Sequence, residues 1–341
     1  MSLPVIFIAR EQVPWHEHRA ARFFLTAMLA WVTAAHAQVY PAKLVRLVTG
    51  SAAGGGSDIT ARQIGPKLAE AFGQQVLVDN RPGVAGMLAN EFVAKTPADG
   101  YTVLLQPGGF ITLSAQLNAK GADGGKWDTL RFLAPVIQVS SYAFVLVLHP
   151  SVPARTVKEL IAVAKASPRA LSFVSSGVGS NFHLSGELFK LRAGIDMLHV
   201  AYRGSPPAIV DLIAGRGDMM FVHIPAVQQY IRNGRLRALG LTGNKRSALL
   251  PEVPTIAEAA LPGYEIVGSE GLLAPAGTPR EIVAKLNTTI TAALNTAEMK
   301  ELWASKGVEF APNTAEQYTA KLRDEFEKTA VVIKAAGIKP D

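Results

Sequence analysis

The sequence of 341 residues contains no cysteine. It therefore has no disulfide, no thiolate nucleophile, no cysteine-ligated zinc or iron–sulfur cluster and no lipidated N-terminal cysteine. Charged residues are few, at 18%, while apolar residues make up 49%. This composition excludes a mainly disordered chain and is ample for packed cores. Because single cores stop growing at about 250–300 residues, the length predicts two domains.

Several catalytic and nucleotide-binding motifs are also missing. The sequence has no Gly-x-x-x-x-Gly-Lys-[Ser/Thr] and no Gly-x-Ser-x-Gly, which argues against a P-loop and against an α/β-hydrolase nucleophile elbow. No Gly-x-Gly-x-x-Gly is completed, because Phe182 stands where the third glycine would be. A Rossmann dinucleotide site is therefore disfavoured, and we expect no cofactor.

Neither a metal site nor a nucleic-acid site is indicated. The four histidines after residue 37 (149, 183, 199 and 223) are scattered without the His-x-x-x-His spacing of a helical metal site. We expect each to be a hydrogen-bonded polar residue or a helix cap. The 34 Lys and Arg against 27 Asp and Glu give a net charge of +7, which hints at acidic partners. These basic residues are dispersed without interleaved aromatic residues, so we expect no nucleic-acid partner.

An uncharged apolar run of 13 residues, 23–35, lies near the N-terminus and follows Arg19 and Arg22. As a helix it spans about 20 Å, which is short of the ~30 Å hydrocarbon core of a bilayer. Ala35-His36-Ala37 then supplies the small-x-small pattern of a cleavage site. We therefore predict that residues 1–37 are a cleaved export signal. No later segment has 18 consecutive apolar residues.

The rest of the sequence alternates short β-branched runs with amphipathic stretches, the pattern of an α/β protein with mostly parallel strands. Strands are predicted at 44–49, 76–78, 101–105, 144–148, 171–175, 197–202, 219–224 and 237–241, and helices at about 57–72, 87–95, 156–166, 180–192, 278–295 and 314–336. Thr156-x-x-Glu159 predicts a capping box. Thr278-Pro279-Arg280-Glu281 predicts an N-cap, a proline at the first helical position and a capping-box glutamate.

Two glycine-rich turns each lie between a predicted strand and a predicted helix. The first glycine turn is Ala-Ala-Gly-Gly-Gly-Ser-Asp at 52–58, and the second is Ser-Ser-Gly-Val-Gly-Ser-Asn at 175–181. At such a junction the first helical N–H groups are unpaired and carry the positive end of the helix dipole, which suits an anion. Tight-turn geometry with helix capping explains either turn alone. One turn in each half of the chain, however, indicates a ligand clamped between two domains.

Two further turns have polar residues. Tyr202-Arg203-Gly204-Ser205-Pro206 also lies between a strand and a helix, and its amides with Ser205 would form a third wall of the cleft. A plain turn explains the same residues equally well. Asp79-Asn80-Arg81 resembles a catalytic carboxylate with an arginine, but a turn held by a local ion pair is the better explanation.

Ordered short motifs run along nearly the whole chain after the predicted signal: Tyr40-Pro41, Ala52–Asp58, Asn80-Arg81-Pro82-Gly83, Asp99-Gly100-Tyr101, Lys158-Glu159-Leu160, Ser176-Gly177-Val178-Gly179-Ser180 with His183-Leu184, His199-Val200 with Tyr202-Arg203-Gly204, Pro251-x-Val253-Pro254-Thr255-x-x-Glu258 and Ala274-Pro275-Ala276-Gly277-Thr278-Pro279. As a set, these motifs resemble the solute-binding receptors of tripartite tricarboxylate transporters, the Bug-type periplasmic receptors.

The resemblance implies two Rossmann-like α/β domains in the flytrap arrangement of periplasmic binding proteins, which close on a carboxylate ligand and perform no chemistry. It implies ligand contacts from backbone amides, small hydroxyl side chains and ordered waters of the strand-to-helix loops. The matching positions are Ala53, Gly54, Ser57 and Asp58 in one domain and Ser176, Gly179, Ser180, His183 and Tyr202 in the other. Ser205 joins them as the candidate third wall. We expect a monomer in the periplasm whose partners are integral-membrane transporter subunits.

The domains are expected to be discontinuous. We predict that residues 38–141 and 269–341 form one domain and that residues 142–268 form the other. Tyr142–Leu148 and Glu265–Leu272 are predicted to be long strands that flank the middle segment and cross between the domains.

Two stretches depart from the family's pattern. Val222-His223 stands where the family commonly has an Asp-Asn pair, and Ser269-Glu270 stands where it usually has aromatic residues. We hypothesise that Glu270 tunes ligand choice towards molecules with an amino or hydroxyl donor beside the carboxylate, since an unpaired buried charge is costly. The alternative is that strand alternation turns Glu270 to solvent and Ser269 inward.

Three functions follow from the sequence, in order of support. The first is an exported receptor that delivers a small carboxylate to a tripartite tricarboxylate-type membrane transporter. The alternative is an orphan receptor that presents its ligand to a membrane sensor in signalling. An enzyme comes third, because no nucleophile–base pair and no cofactor motif is present.

Overall fold

The structure is a computed structural model that describes residues 40–83, 86–109, 111–112, 128–310 and 312–338. The chain divides into two units, Met1–Ala42 and Lys43–Asp341. The predicted export signal at 1–37 lies outside the described residues and stays a prediction. The fold and the site below belong to the second unit.

The described residues contain nine strands: β1 Val45–Thr49, β2 Val76–Asn80, β3 Thr102–Pro107, β4 Leu133–Leu148, β5 Ser172–Ser175, β6 Leu198–Ala201, β7 Met219–His223, β8 Arg237–Leu241 and β9 Val267–Pro275. They also contain eleven helices: α1 Gly56–Phe72, α2 Met87–Ala94, α3 Thr129–Phe132, α4 Val157–Ala166, α5 Asn181–Ala193, α6 Ser205–Ile213, α7 Ile224–Arg232, α8 Ile256–Ala259, α9 Arg280–Leu294, α10 Ala297–Ala304 and α11 Ala315–Ala336. None of these helices is both long and apolar enough to span a membrane.

The strands form one mixed sheet in the order β2-β1-β3-β9-β4-β7-β5-β6, with β8 also paired to β4. Strands β1, β2 and β3 are parallel, as are β5, β6 and β7. Strand β9 runs antiparallel to β3 and β4, and β4 runs antiparallel to β7 and β8. Two parallel groups are therefore joined through β4 and β9, and each parallel group carries one of the glycine turns at a carboxyl end of its strands.

Strand β4 is longer than the sequence predicted. It begins at Leu133 and spans 16 residues, whereas the prediction began at Tyr142. Its residues 133–143 pair with β9, and residues 144–148 pair with β7 and β8. Register shifts in the first part mark irregular pairing, which weakens the alternating pattern on which the strand prediction relied.

Two hydrophobic clusters pack on this sheet. One contains only residues between Phe144 and Tyr264. The other joins residues between Val48 and Leu133 with Leu273, Tyr318 and Leu322. Among the described residues, these two clusters meet β4 at its two ends, one at Leu133 and the other at Phe144–Leu148.

Helix capping agrees with the sequence only in part. The Thr156 hydroxyl accepts from the Glu159 N–H, but the Glu159 carboxylate accepts from Arg155 instead of completing the predicted capping box. The box predicted at Thr278 is wrong. Thr278 donates its hydroxyl to the Pro275 carbonyl at 2.7 Å, so it closes the preceding turn, and Pro279 is the N-cap of α9.

Candidate ligand-binding site

The first glycine turn joins the carboxyl end of β1 to α1 and is closed by its own aspartate. Gly54, with a φ of +79°, donates its N–H to Asp58 Oδ2 at 2.8 Å. The buried Asp58 carboxylate also accepts from Arg62 Nε at 3.0 Å and from Asn80 Nδ2 at 3.0 Å. The hydrogen bond from Arg62 is the largest of the effects that lower the pKa of Asp58 to about 2. Asp58 is therefore ionised and occupied by partners within the chain.

The second glycine turn has the same arrangement with a different acceptor. Gly179, with a φ of +74°, donates its N–H to His183 Nδ1 at 3.0 Å. The N–H of His183 donates to Ser180 Oγ at 3.2 Å, which makes Ser180 the N-cap of α5. Gly177 donates its N–H to Ser175 Oγ at 3.2 Å. In both turns a glycine amide is therefore engaged by the side chain four residues later.

A stack of rings lies behind the second turn. The His183 and His199 rings are 3.8 Å apart and nearly parallel, and Phe173 stacks on His199 at 4.7 Å. Ser175 Oγ and His199 Nε2 are hydrogen-bonded at 2.7 Å. Burial is the main effect that lowers the pKa of His199 to about 4, and neighbouring His183 lowers it further. His199 is therefore neutral near pH 7, which lets it pack against the His183 ring.

The other two histidines have partners as well. His149 Nδ1 is hydrogen-bonded to Ser151 Oγ at 2.7 Å. His223 is the N-cap of α7, and its ring packs 4.8 Å from Tyr142 and 5.4 Å from Phe144. The histidines thus behave as hydrogen-bonded or packed groups, as expected. No three His, Asp or Glu side chains of the described residues are grouped so that they could hold a metal ion.

The first-turn amides of the two helices remain open. Among the described residues, the N–H groups of Gly56, Ser57 and Asp58 at the start of α1 have no hydrogen-bond partner. The same is true of Asn181 and Phe182 at the start of α5. Open N–H groups at the positive end of a helix dipole favour an anion. The amides suited to a ligand are therefore those of the helix starts, two to four residues beyond the predicted Gly54 and Gly179.

The remaining predicted residues differ in exposure and in whether their hydroxyl groups already have a hydrogen-bond partner. Ala53 is exposed, whereas Ser176 and Ser205 are half-buried. Tyr202 is also half-buried, but its hydroxyl donates to Asp211 Oδ2 in α6 at 2.7 Å. That hydrogen bond is the main cause of the raised pKa of Tyr202. The Tyr202 phenol is therefore occupied within the chain, while the serine hydroxyls are available.

Ser57 faces away from the turn and into the protein. It is 1% exposed, and its hydroxyl donates to Glu270 Oε1 at 2.6 Å. Glu270, on β9, is 4% exposed and accepts also from Thr60 Oγ1 at 2.6 Å and Ser140 Oγ at 3.3 Å. The alternative that Glu270 turns to solvent is therefore wrong. Ser269 is buried as well, because both faces of the sheet are covered at this point.

Sequence reasoning missed two members of this group, Thr60 and Ser140. Thr60 lies one position beyond the first turn of α1, and Ser140 lies directly opposite Glu270 in the β4–β9 register. No motif marks either residue. Ser140 and Glu270 are 130 residues apart in the sequence. They meet because β4 pairs antiparallel with β9.

The end of β3 brings the two halves of the site together. A Cβ on Gly109 would overlap Asn181 Oδ1, and one on Gly108 would overlap Ser269 Oγ. Asn181 is the first residue of α5, and β3 pairs with β1, which leads into the first turn. The start of α5 therefore lies against the strand adjacent to the first glycine turn.

Comparison with known proteins agrees with this geometry. Residues 60–338 match the model of the tripartite tricarboxylate transporter family receptor. The chain belongs to this receptor family. Protein BugT of Bordetella pertussis is 34% identical over 303 residues, which cover 89% of this chain and 92% of BugT.

Two solved structures of similar proteins hold carboxylates. Rpa4515 of R. palustris, solved with adipate, is 36% identical, has a TM-score of 0.75 and is matched over 89% of this chain and 100% of its own. MatC of Rhodopseudomonas palustris, solved with bound malate, is 26% identical, has a TM-score of 0.71 and is matched over 86% and 100%. The predicted fold class, two Rossmann-like α/β domains in a periplasmic-binding-protein arrangement, is confirmed.

Proposed function

We propose that this protein is an exported receptor that binds a small carboxylate between two α/β domains and delivers it to a tripartite tricarboxylate-type membrane transporter. The observation that carries the proposal is the pair of glycine turns. In each turn the glycine amide is held internally, and the first N–H groups of the following helix are open. Family membership and the adipate and malate in the two similar structures support it.

The domain division is part of the proposal. Residues 38–141 with 269–341 would form one domain and residues 142–268 the other. The two separate hydrophobic clusters support this division, since they part near Leu133–Phe144 and near Tyr264–Leu273. In the part of the chain that the structure describes, strands β4 and β9 would be the crossings between the two domains. A ligand bound at both glycine turns would hold the two domains closed.

Binding would rely on neutral donors. Neither glycine turn contains an arginine, and Arg62, in the helix after the first turn, is paired with Asp58. A hydrogen bond from a neutral donor to a charged acceptor contributes roughly 1.5–3 kcal/mol, so several N–H groups and the hydroxyls of Ser176, Ser180 and Ser205 suffice for a carboxylate. No covalent step is involved, and the protein acts as a receptor without catalysis.

The test begins with native mass spectrometry of freshly purified protein and calorimetry against a panel of carboxylates. Ser180→Ala should lower the affinity up to about tenfold, the equivalent of 1.4 kcal/mol. Ser305→Ala is the matched control, because Ser305 is exposed and bonds only to the Leu302 carbonyl through its side chain. It should leave the affinity unchanged.

Gly179→Val should weaken binding more severely than Ser180→Ala, because the new side chain strains a positive-φ position and fills the approach to the backbone. Gly234→Val has the same kind of strain, at a φ of +72°, with no atom within 4 Å of its Cβ. It therefore separates strain from obstruction of the site. If neither Ser180→Ala nor Gly179→Val changes the affinity, the carboxylate binds elsewhere.

The transporter partner needs its own test. Co-purification of the receptor with integral-membrane transporter subunits would support delivery to a permease. Co-purification with a membrane sensor kinase would support the signalling alternative instead. Conversion of any carboxylate in the panel to a product, detected by mass spectrometry, would overturn the receptor function.

A further inference from the structure

A small cavity lies against Glu270, beside the first turn of α1. It has a volume of about 90 Å³, and we call it the Glu270 cavity. Its polar lining comes from three elements and the segment after α10: Thr60, Gln63, Ser140, Tyr142, Glu270 and Lys306. Nothing in the proposed binding of a carboxylate by helix amides makes use of this cavity.

The Glu270 carboxyl group is buried and has no neighbouring cation. Hydroxyls of Ser57, Thr60 and Ser140 donate to it, and no Lys, Arg or His of the described residues comes within 4.0 Å. Burial raises the pKa of Glu270, while these three hydroxyl donors act in the opposite direction. A buried charge that has no counter-charge is costly, so any cation or further donor that reaches Glu270 is favoured.

The carboxylate still has room for one more donor. Two carboxylate oxygens offer about four lone-pair sites. Three of these are used, one on Oε1 by Ser57 and two on Oε2 by Thr60 and Ser140. The remaining site on Oε1 is open to a donor that enters the cavity.

Lys306 lines the same cavity but does not neutralise Glu270. Its ammonium forms no ion pair with any carboxylate of the described residues. Lys306 is only half-buried, and its long side chain can turn to solvent, whereas Glu270 is fixed on β9 by three hydrogen bonds. The fixed Glu270 carboxyl group therefore decides what the cavity accepts.

The size and place of the cavity limit the group that fits. A water molecule takes about 30 Å³ of liquid volume, so the cavity suits a group of one to three heavy atoms. Ile59 and Thr60, which line it, follow the open amides of Gly56, Ser57 and Asp58 by one to four residues, about 1.5–6 Å along the axis of α1. A ligand carboxylate on those amides would place a substituent on a nearby carbon within reach of Glu270.

We propose that the Glu270 cavity is a ligand subsite that takes a small hydrogen-bond donor, an ammonium or hydroxyl group carried beside the ligand's carboxylate, and disfavours a second carboxylate. This inference rests on the proposed function, because the carboxylate held at α1 is what positions the donor. The favoured ligands are thus amino and hydroxy acids in preference to plain diacids.

The experiment compares matched acids on the full-length mature protein by calorimetry. Succinate is compared with malate and aspartate, adipate with 2-aminoadipate, and butyrate with 2-aminobutyrate. Wild type should bind the amino or hydroxy acid roughly ten- to hundredfold more tightly than the unsubstituted acid, the range of one charge-assisted hydrogen bond. Glu270→Gln keeps the side-chain size and removes the charge, so this preference should fall at least tenfold.

Two further variants complete the design. Glu301→Gln makes the same charge change at an exposed position of α10 and should leave the preference intact. Lys306→Met should preserve or strengthen the preference for the ammonium group. Loss of diacid binding in Lys306→Met, with no effect of Glu270→Gln, would show that Lys306 pairs with a second carboxylate and would overturn the inference.

The outcomes separate the two proposals. If wild type binds acids of the panel with no preference for a donor, the subsite is wrong while the carboxylate receptor stands. This comparison needs no variant, so it remains decisive even if Glu270→Gln does not fold. If wild type binds no carboxylate at all, both the receptor function and the subsite are overturned.

Discussion

Gly179 donates its N–H to His183 Nδ1 at 3.0 Å, and the nitrogen that accepts this bond carries no proton. The first turn repeats the relationship between Gly54 and Asp58 with the same spacing of four residues. A carboxylate and an imidazole thus perform the same structural task in the two halves of the chain. Both residues are predicted to touch the ligand, and the structure shows that side-chain atoms of each hold its turn in shape.

Replacing His183 should test this role. His183→Leu leaves the buried Gly179 N–H without an acceptor, and we expect a loss of about 1–3 kcal/mol in the free energy of unfolding. His183→Asn keeps an acceptor near the backbone and should lose less. Urea denaturation of both variants gives the comparison. Equal stabilities of the Leu and Asn variants would show that the acceptor has no such role.

Local features were the ones that the sequence could predict. The strands and helices around both glycine turns were predicted from the spacing of apolar residues and from turn residues within about 20 positions of each other. They occur as predicted. The cap at Thr278 failed because a competing acceptor, the Pro275 carbonyl, lies only three residues before it. A capping motif shows that a hydroxyl can accept from the helix N–H groups. It does not show whether the hydroxyl bonds to a nearby carbonyl in place of capping the helix.

The sequence predicted where the candidate site lies, but it did not predict which side chains hydrogen-bond to each other there. Ser57 was expected to face a ligand, but its hydroxyl is used by Glu270, 213 residues later. That pairing depends on the register of β9 against β3 and β4, where irregular pairing shifts the alternation. Such a register has no local signature, so the three hydroxyls around Glu270 could not be found from the sequence.

Stability in mild acid should depend on His199. Its pKa is about 4 in the folded protein against 6.5 for an ordinary histidine, so the unfolded chain binds the proton more tightly. The stability is fully present above pH 6.5 and is lost as the pH falls through 4. His199→Gln should lose less stability over this range in thermal denaturation. His223, whose pKa burial also lowers to about 4, remains in that variant and should preserve part of the slope.

An identical pH slope in wild type and His199→Gln would contradict the prediction. Asp58 does not confuse the comparison, because its ordinary pKa of 3.8 and its folded pKa of about 2 both lie below the range from pH 6.5 to 4.

Glu325 on α11 should produce the opposite slope. Burial is the main effect that raises its pKa from 4.5 to about 7, and Ser269 is its hydrogen-bond partner at 3.4 Å. Here the folded protein binds the proton more tightly, so the stability is fully present below pH 4.5 and is lost as the pH rises through 7. The full loss is on the order of 3 kcal/mol.

Glu325→Gln should remove this dependence and be more stable than wild type at pH 8. Denaturation at pH 5 and pH 8 checks both statements. A variant that loses stability between these pH values as steeply as wild type would show that another group titrates.

The packing behind the second turn leaves no room for a methyl group at Gly186. This glycine lies inside α5, and a Cβ there would overlap the Phe173 ring, which stacks on His199. Gly186→Ala should therefore destabilise the protein by roughly 1–3 kcal/mol, although alanine is the better helix former. Because the displaced ring supports the His183–His199 stack, the carboxylate affinity should fall as well.

Gly56→Ala is the matched control, since Gly56 is also helical and a Cβ there meets no heavy atom within 4 Å. Its free energy of unfolding should stay within about 0.5 kcal/mol of wild type. Urea denaturation measures both variants, and calorimetry with the best carboxylate of the panel measures the binding of Gly186→Ala. If Gly186→Ala is as stable as wild type, Phe173 can move aside freely and the ring stack does not brace the second glycine turn.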